Sequence, residues 1–311
     1  MTLKRLLEMM PELRGRLREN IPLSEITWFR VGGRAQFMYA PADADDLAYF
    51  LRTRPAELEV TILGAGSNVL IRDGGVSGVV VKLGKPFAGI EIDEAFCLTA
   101  GAAALDVAVA RRAAEQALQG LEFYAGIPGT IGGALTMNAG AYGGETADCF
   151  ISAQALTQNG DRVVLTKQDM GFGYRHNTLD RNLVFLSATY QLTSGDKRTI
   201  ERKMKEISES RESSQPIRSR TGGSTFRNPG GADPEGPKAW KLIDAAGCRG
   251  LREGDAQVSE HHCNFLINHG AASASDLENL GETVRRRVRQ TADIDLQWEI
   301  KRLGQALEDR S

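Results

Sequence analysis

One glycine-rich stretch limits what this chain can fold into more than any other feature. It runs over residues 127–145 as IPGTIGGALTMNAGAYGGE, with six glycines and one charged residue, Glu145. Glycine makes up 34 of the 311 residues, about 11% against roughly 7% in an average protein, and the excess is clustered. Such a stretch has too few side chains to fill a core or to form a charged surface. It is typical of a segment that brings its main chain close to a ligand.

The overall composition excludes several classes of protein. A hydrophobic fraction of 41% and a charged fraction of 25% are ordinary for a globular protein and argue against disorder. The net charge of −2 offers no general attraction for nucleic acid or an anionic membrane. No apolar run reaches the ~18 residues of a membrane span, and the first residues lack the apolar core of a signal peptide. We therefore expect a cytoplasmic protein, with neither a nucleic-acid nor a membrane partner.

Cysteine and histidine spacing gives no sign of a metal site. The four cysteines are far apart without a Cys-x-x-Cys pair, which argues against both a disulfide framework and a zinc site. His261 and His262 are adjacent, so on a strand they would point to opposite faces. The arginine run at 285–287 lies on a helix that also carries acidic residues, and we interpret it as a solvated face. We expect no metal.

The chain length predicts about two domains. Residues 1–20 carry leucine and methionine at helical spacing, so we predict an N-terminal helix there, packed on the protein body or bound to a partner. Further along, Asp43 predicts the start of a helix, Asn159-Gly160 predicts a hairpin turn, and Ser275 and Glu278 stand at capping-box spacing. The composition changes near residue 195. We place a domain boundary at 195–200.

The first of two glycine loops, LGAGSNVLIRDGG at 63–75, follows an apolar strand. Glycines at 64 and 66 permit positive φ, and successive N–H groups can form an anion nest. The loop is not the dinucleotide fingerprint, because Val69 stands at the third glycine position and a strand follows. The chain also lacks the phosphate-loop motif of nucleotide hydrolases. A tight turn in an α/β domain explains this loop equally well.

The second loop, residues 127–145, favours a ligand. Thr130 can cap a helix whose first N–H groups face a phosphate. Gly132 and Gly133 would each cost a plain helix about 0.8–1.0 kcal/mol relative to alanine, which makes sense if a flat ligand lies on them. A near-neutral surface suits a large planar group flanked by a diphosphate. Flavin adenine dinucleotide (FAD) fits this description best.

Eight motifs in order carry a resemblance to a known family. They are TWFRVGG (27–33), LGAGSNVLIRDGG (63–75), AGIPGTIGGALTMNAGAYGGE (125–145), GYR (173–175), GGSTFRNP (222–229), KLIDAAGCRG (241–250), VSEHHCNFLIN (258–268) and WEI (298–300). Together they resemble the UDP-N-acetylenolpyruvoylglucosamine reductase family, from about Thr27 to Gly304. The resemblance implies an α+β protein: an FAD-binding fold of the vanillyl-alcohol-oxidase type in two subdomains, with a smaller C-terminal α+β substrate domain. We place the FAD-binding domain at 21–195, its subdomains at about 21–90 and 91–195, and the substrate-binding domain at 196–305.

The resemblance also implies cofactor residues. Those at the diphosphate would be Gly64, Ala65, Gly66, Ser67 and Asn68. Those along the flavin would be Gly129, Thr130, Gly133, Asn138 and Gly140, with Arg30 close by. Covalent attachment in this fold usually needs a histidine at the flavin, and no histidine lies in the glycine loops, so we predict non-covalent FAD.

In the resembled family, NADPH reduces the flavin and leaves. The enolpyruvyl ether of UDP-N-acetylglucosamine then takes a hydride from flavin N5, giving UDP-N-acetylmuramate for peptidoglycan. By resemblance Arg175 binds the substrate carboxylate, Ser224 donates the proton and Glu299 is the catalytic carboxylate. A guanidinium suits a carboxylate because its donors form a fixed fork. A positioned proton donor contributes about 10²–10⁴-fold in rate.

The residues alone leave alternatives open for each role. Arg175 could be a surface ion-pair partner, Ser224 a turn residue with Thr225 as a competing hydroxyl, and Glu299 a solvent-facing strand residue. Glu308 is a second, poorer candidate for the carboxylate. Asn177 departs from the family pattern, in which many members have serine.

Further contacts follow from the resemblance alone. Arg211, Gln215 and Asn228 match positions that contact the UDP-sugar. We expect a monomer. Two other functions remain open: a sugar or lactone oxidase of the same flavin fold, and a non-catalytic UDP-sugar-binding relative.

Overall fold

The computed structural model describes residues 1–179 and 183–307. The helices in these ranges are α1 (Leu3–Met9), α2 (Ala44–Thr53), α3 (Asp106–Glu115), α4 (Ile131–Met137), α5 (Thr146–Cys149), α6 (Lys167–Met170), α7 (Lys197–Ser214), α8 (Ala239–Ala245) and α9 (Ala274–Ala292). The strands are β1 (Arg16–Pro22), β2 (Arg34–Ala40), β3 (Val60–Ile62), β4 (Val69–Ile71), β5 (Val76–Val81), β6 (Ile90–Ile92), β7 (Cys97–Gly101), β8 (Leu118–Gln119), β9 (Gly140–Ala141), β10 (Gly144–Glu145), β11 (Phe150–Leu156), β12 (Arg162–Thr166), β13 (Val184–Gln191), β14 (Thr193–Ser194), β15 (Arg252–Glu253), β16 (Ala256–Val258), β17 (Leu266–Asn268) and β18 (Lys301–Leu303). None of these helices is long and apolar enough to cross a membrane.

The chain forms two compact units that do not follow chain order. Unit 1 contains Met1–Glu19, Phe37–Ala65 and Gly78–Ser210, and unit 2 contains Asn20–Gln36, Gly66–Ser77 and the chain from Arg211 onward. The first glycine loop is therefore divided, with Gly64 and Ala65 in unit 1 and the residues from Gly66 in unit 2. The predicted limits of the FAD-binding and substrate-binding domains concern ligand binding and stay a prediction.

Unit 1 is built around sheets. A five-stranded sheet has the order β12-β11-β13-β7-β6 with antiparallel neighbours. Its apolar side chains share a core with α3 and α4, and this core includes Tyr124 and Tyr190. Most residues of a four-stranded sheet, β1-β2-β5-β3, also belong to unit 1, and α2 packs in its core through Leu47 and Phe50. In this sheet β3 and β5 are parallel, with Ile62 opposite Val81.

Unit 2 packs α8 and α9 with the antiparallel sheet β15-β16-β17. Its core includes Leu277, Leu280 and Val284 from one face of α9, as helical spacing requires. The last strand, β18, pairs in parallel with β4. This pairing brings the end of the described chain beside the segment that follows Asn68.

Several local predictions are confirmed. Asp43 caps α2 by accepting a hydrogen bond from the N–H of Asp46. The Asn159-Gly160 pair lies in the connection between β11 and β12, where Gly160 has a φ of 79°.

The predicted helix over residues 1–20 is wrong beyond its first half. Helix α1 ends at Met9, and Arg16–Pro22 form a strand instead. Pro11 explains the end, since proline restricts the residue before it to extended backbone and Met10 has left the helical region. Leu17, placed on the helix by its spacing, is the buried residue of β1.

Candidate active site

The two glycine-rich segments meet within unit 1. Gly64 follows β3 and is exposed, and a Cβ atom built on it would lie 2.9 Å from Oγ1 of Thr130. The two segments can approach this closely because position 64 has no side chain. A residue that the motifs did not reveal lies beside the first segment: Nζ of Lys82 donates a hydrogen bond to the carbonyl of Gly64 at 2.6 Å.

Thr130 occupies the N-cap position of α4, as predicted, but its side chain forms no capping hydrogen bond, and the first two amides of the helix donate to the protein. The N–H of Ile131 donates to the carbonyl of Ala104 at 3.0 Å, and the N–H of Gly132 donates to Ala102 at 2.9 Å. The expectation that the start of α4 presents these groups to a phosphate is wrong, because the turn after β7 accepts both. Thr130 itself is almost fully buried.

Gly132 and Gly133 differ in what surrounds them. A Cβ on Gly132 would lie 3.2 Å from the carbonyl oxygen of Ala102, so packing against that turn explains this glycine. A Cβ on Gly133 would have its nearest neighbour at 3.7 Å, the Oγ1 of Thr130, which is an ordinary contact. Gly133 is also exposed. The protein itself gives no steric reason for a glycine at 133.

Gly129 and Gly140 both have close protein neighbours. A Cβ on Gly140 would lie 2.8 Å from Cβ of Glu145 across the β9–β10 pair. A Cβ on Gly129 would collide with the carboxylate of Asp106. The side chain of Asp106 is 1% exposed, neither carboxylate oxygen has a hydrogen-bond partner among the described residues, and burial raises its pKa well above the usual range.

The far end of α4 holds the turn that carries Arg175. Asn138 ends the helix in the left-handed conformation with a φ of 42° and is fully buried. Its Nδ2 donates to the carbonyl of Gly173 at 3.1 Å, and its Oδ1 accepts from the N–H of Ala147 at 3.0 Å. Both the nitrogen and the oxygen of the Asn138 side-chain amide thus bond to the protein, the nitrogen to the turn around Arg175.

Asn177 supports the same turn. Its Nδ2 donates to the carbonyl of Leu135, near the end of α4, at 3.0 Å. Gly173 and His176 close the turn through mutual backbone hydrogen bonds, which leaves Arg175 at a φ of 59°. Left-handed backbone is uncommon for a residue with a side chain and often marks a functional position. Asn177, at a position where many members of the resembled family have serine, thus makes a contact of its own with α4.

In unit 2 the predicted proton donor and carboxylate lie on neighbouring segments. The N–H of Glu299 donates to the carbonyl of Thr225 at 2.8 Å, next to Ser224. Phe226 and Trp298 pair in antiparallel fashion, with ring centroids 5.1 Å apart. Neighbouring residues on an extended segment point to opposite faces, so Glu299 points away from the Phe226–Trp298 contact. Glu299 is half-buried.

The two candidate hydroxyls differ in exposure. Thr225 is 1% exposed, and its Oγ1 has no hydrogen-bond partner among the described residues. Ser224 is half-buried and can be reached from outside. Asn264 holds this segment, because its carbonyl accepts from the N–H of Thr225 at 2.7 Å and its Oδ1 accepts from Phe226 at 3.0 Å. Accessibility favours Ser224 as the donor.

The second half of the first glycine loop lies beside the Ser224 segment. Nδ2 of Asn68 donates to the carbonyl of Glu299 at 3.3 Å, and a Cβ on Gly223 would have the carbonyl of Ser67 as its nearest neighbour, at 4.0 Å. Gly66 has a φ of 70° and packs on Ile26, whose carbonyl would lie 2.5 Å from an added Cβ. Unit 2 thus brings Ser67, Asn68, Ser224 and Glu299 together.

The remaining predicted residues are more scattered. The guanidinium of Arg30 is exposed and donates to the carbonyl of Glu25. Oδ1 of Asn228 accepts from the N–H of Ala239 at 3.0 Å, so this side chain holds the start of α8. The N–H of Gln215 donates to the carbonyl of Arg211 at the end of α7, and both residues are half-buried. Glu308 lies outside the described residues.

A set of charged residues, most of them outside the motifs, supports the Glu299 segment. Nε1 of Trp298 donates to Glu282 at 2.8 Å, and the guanidinium of Arg302 lies 4.7 Å from the Trp298 ring centroid. Arg302 also pairs with Glu278 at 2.8 Å, and Arg72 pairs with the same carboxylate at 2.8 Å. The guanidinium of Arg72 lowers the pKa of Glu278. These contacts fix the chain on both sides of Glu299.

Comparisons with known proteins place these segments in two recognised domains. Residues 35–166 match the FAD binding domain, and residues 215–303 match the C-terminal domain of UDP-N-acetylenolpyruvoylglucosamine reductase. The first range contains the two glycine loops, and the second contains Ser224, Asn228 and Glu299. Arg30, Arg175 and Arg211 lie outside both.

Whole-chain relatives agree with the domain matches. The UDP-N-acetylenolpyruvoylglucosamine reductase of Parvibaculum lavamentivorans is 58% identical over 299 residues, 96% of this chain and 94% of the relative. That of Azorhizobium caulinodans is 54% identical over 95% of this chain and 94% of its own. The crystal structure of the reductase from Thermus caldophilus superposes with a TM-score of 0.79 at 32% identity, covering 94% of this chain and 99% of that one. The predicted fold class is confirmed, and the chain belongs to the UDP-N-acetylenolpyruvoylglucosamine reductase family.

Proposed function

We propose that this protein reduces the enolpyruvyl ether of UDP-N-acetylglucosamine to UDP-N-acetylmuramate, with FAD as cofactor and NADPH as the source of reducing equivalents. Family membership over nearly the whole chain supports the reaction, and the match at 35–166 supports the cofactor. One structural observation supports the roles proposed for Ser224 and Glu299. Ser224 and Glu299, 75 positions apart in sequence, lie on hydrogen-bonded neighbouring segments, as a shared catalytic site requires.

Unit 1 fits FAD. Gly64 and Gly133 are exposed, and the second has no protein neighbour that requires a glycine. Lys82 supplies a cation beside Gly64. We propose that Gly64, Ala65, Thr130 and Gly133 hold the cofactor from this unit. When bound, FAD supplies a hydride acceptor for NADPH and a hydride donor for the substrate double bond.

The chain's own residues manage charge and protons in this reaction. Adding a hydride to the terminal carbon of the double bond leaves negative charge on the neighbouring carbon and its carboxylate. Arg175 stays cationic throughout and binds that carboxylate. Ser224 donates its hydroxyl proton to the carbon and regains a proton from water, and Glu299 hydrogen-bonds the reacting group. Asn138 and Asn177 act indirectly, because they hold the turn that carries Arg175 against α4.

Separate half-reactions test the Ser224 role. Ser224→Ala should leave bleaching of the flavin by NADPH unchanged and slow its reoxidation by the enolpyruvyl sugar by about 10²–10⁴-fold. Thr225→Val is the matched control, because it removes an adjacent hydroxyl that has no described partner, and it should leave both rates near wild type. Stopped-flow absorbance of the flavin band measures both.

Two outcomes would contradict the assignment. Equal slowing of both half-reactions by Ser224→Ala would show a general disturbance of the site rather than loss of a proton donor. A larger effect from Thr225→Val would move the donor to that residue. A third outcome concerns the function itself: rapid reoxidation by air, without the enolpyruvyl sugar, would identify an oxidase of the same fold.

A further inference from the structure

We propose that Lys82 binds the diphosphate of FAD, which adds an ionic contact to the main-chain loop at Gly64. The proposal rests on the proposed function. Neither a glycine motif nor any other sequence pattern marks this lysine. The topology of the β1-β2-β5-β3 sheet and one hydrogen bond identify it instead.

The parallel pairing of β3 and β5 places Lys82 at the glycine loop. Ile62 is opposite Val81, so both strands leave the sheet at the same edge, one into Leu63 and Gly64 and the other into Lys82. Loops at the carboxyl ends of parallel strands are the usual ligand-binding edge of an open α/β sheet. The N–H of Leu63 donates to the carbonyl of Val81 at 3.0 Å, which keeps the two chains together up to the loop.

The environment of the Lys82 ammonium calls for an anion. Its Nζ donates to the carbonyl of Gly64 at 2.6 Å, and no ion pair within 4.0 Å connects it to a carboxylate in the described parts of the chain. The side chain is half-buried, and this burial alone lowers the pKa of Lys82. Removing an ammonium from water without a counter-charge is unfavourable. A bound anion at this position would offset that cost.

The diphosphate is the anionic part of FAD, since the flavin ring and the adenine carry no comparable charge. An ammonium is a compact point charge that suits phosphate oxygens in several orientations. Gly64 is exposed, so a ligand can reach the loop and the ammonium together. The structure therefore points to a site in which the loop and Lys82 contact the same diphosphate.

The test is FAD binding rather than turnover. The purified holoenzyme is stripped of flavin, and FAD is titrated back while its fluorescence is followed. Lys82→Met should raise the Kd for FAD about 10–100-fold, the range for loss of a hydrogen bond to a charged group. Lys85→Met is the matched control. Lys85 is exposed and lies three residues after Lys82, and its substitution removes the same charge. It should change the Kd less than about twofold, within the range of ordinary surface substitutions.

Further measurements on Lys82 variants identify the anion. Lys82→Arg should recover most of the affinity, and Lys82→Met should bind riboflavin, which has no phosphate, as wild type does. The salt dependence of FAD binding should be weaker in Lys82→Met than in wild type, because an ionic contact is screened by salt. Lys82→Gln replaces Lys82→Met if the latter unfolds at a lower temperature than wild-type apoprotein.

Specific results would overturn the proposal. Equal Kd values for FAD in the Lys82 and Lys85 variants would remove Lys82 from the site. An unchanged Kd for FAD with a raised KM for NADPH would assign the lysine to the phosphates of the other nucleotide. Weaker riboflavin binding in Lys82→Met would show a distorted loop instead of a lost ionic contact. A wild-type protein that binds no FAD at all would refute the proposed function itself.

Discussion

Alanine substitution at Gly132 and at Gly133 should have opposite effects on stability and on FAD binding. The two glycines are adjacent in α4, and both changes add one methyl group and remove the conformational freedom of a glycine. Their surroundings differ, as a Cβ would lie 3.2 Å from the Ala102 carbonyl oxygen at 132 but no closer than 3.7 Å to any atom at 133. The pair therefore separates a glycine required by packing from a glycine kept for a ligand.

The magnitudes follow from these distances. Gly133→Ala should raise the free energy of unfolding of the apoprotein by about 0.4–1 kcal/mol, because the unfolded chain loses freedom and the folded chain has room. Gly132→Ala should gain nothing or lose about 1 kcal/mol, since a gap of 3.2 Å forces the Ala102 turn to move. If a flavin lies on Gly133, the added methyl costs about 1–3 kcal/mol in binding, which raises the Kd for FAD about 5–150-fold.

Urea unfolding of the apoproteins and fluorescence titration with FAD measure the two quantities separately. The expected pattern is a more stable Gly133→Ala protein with weak FAD binding, and a less stable Gly132→Ala protein with nearly normal binding. A Gly133→Ala protein that binds FAD as tightly as wild type would refute the cofactor role of this helix. A Gly133→Ala protein less stable than wild type would show that the space at 133 is already used by the protein.

Two further variants test the buried surroundings of the glycine stretch. Burial raises the pKa of Asp106 above the unfolded value of 3.8, so its contribution to stability is complete below that pH and is lost as the pH rises toward the folded pKa. Relative to Asp106→Asn, the FAD-saturated wild type should lose up to about 1.4 kcal/mol of unfolding free energy per pH unit as the pH rises above 3.8; a difference independent of pH would contradict this. Asn177→Ala should raise the KM for the enolpyruvyl sugar about 5–30-fold by freeing the Arg175 turn, as loss of a hydrogen bond worth 1–2 kcal/mol would, without changing the Kd for FAD. Slower flavin reduction by NADPH in that variant would instead indicate damage to α4.

Predictions from local sequence signals were reliable where the structure is decided locally. Asp43 caps α2 because a short polar side chain bonds the N–H three residues on. A capping box is predicted at Ser275 and Glu278, but it forms two residues earlier, at Ser273 and Asp276. Asp73, distant in sequence, accepts from the amides of Ala274 and Ser275, and no local pattern contains that contact.

The N-terminal segment also shows that contacts distant in sequence limit a prediction from local patterns. Leucine spacing through Leu17 suits a helix, although Pro11 and Gly15 argue against it. Residues from Arg16 form a strand because they pair with β2 in the four-stranded sheet. Pairing between segments can override helical periodicity, and a single sequence does not show which segments pair.

In the candidate site, some residues could be predicted from motifs and others required the structure. The motifs identified Ser224 and Glu299 by resemblance, and the structure then brings their segments together. The preference for Ser224 over Thr225 depends on burial, which the motif GGSTFRNP does not contain. Lys82 remained hidden because its proximity to Gly64 results from the parallel pairing of β3 with β5.

The glycine stretch itself combines two physical requirements that its composition cannot separate. Gly129 and Gly140 are small because Asp106 and Glu145 approach their backbone closely, and Gly132 is small because of Ala102. At Gly133 the protein leaves open the space that a side chain would fill. An exposed helical position otherwise favours alanine, so we propose a bound ligand as the reason for glycine there. The evidence for a cofactor surface therefore rests on Gly133 and on exposed Gly64, and the number of glycines in the stretch adds little to it.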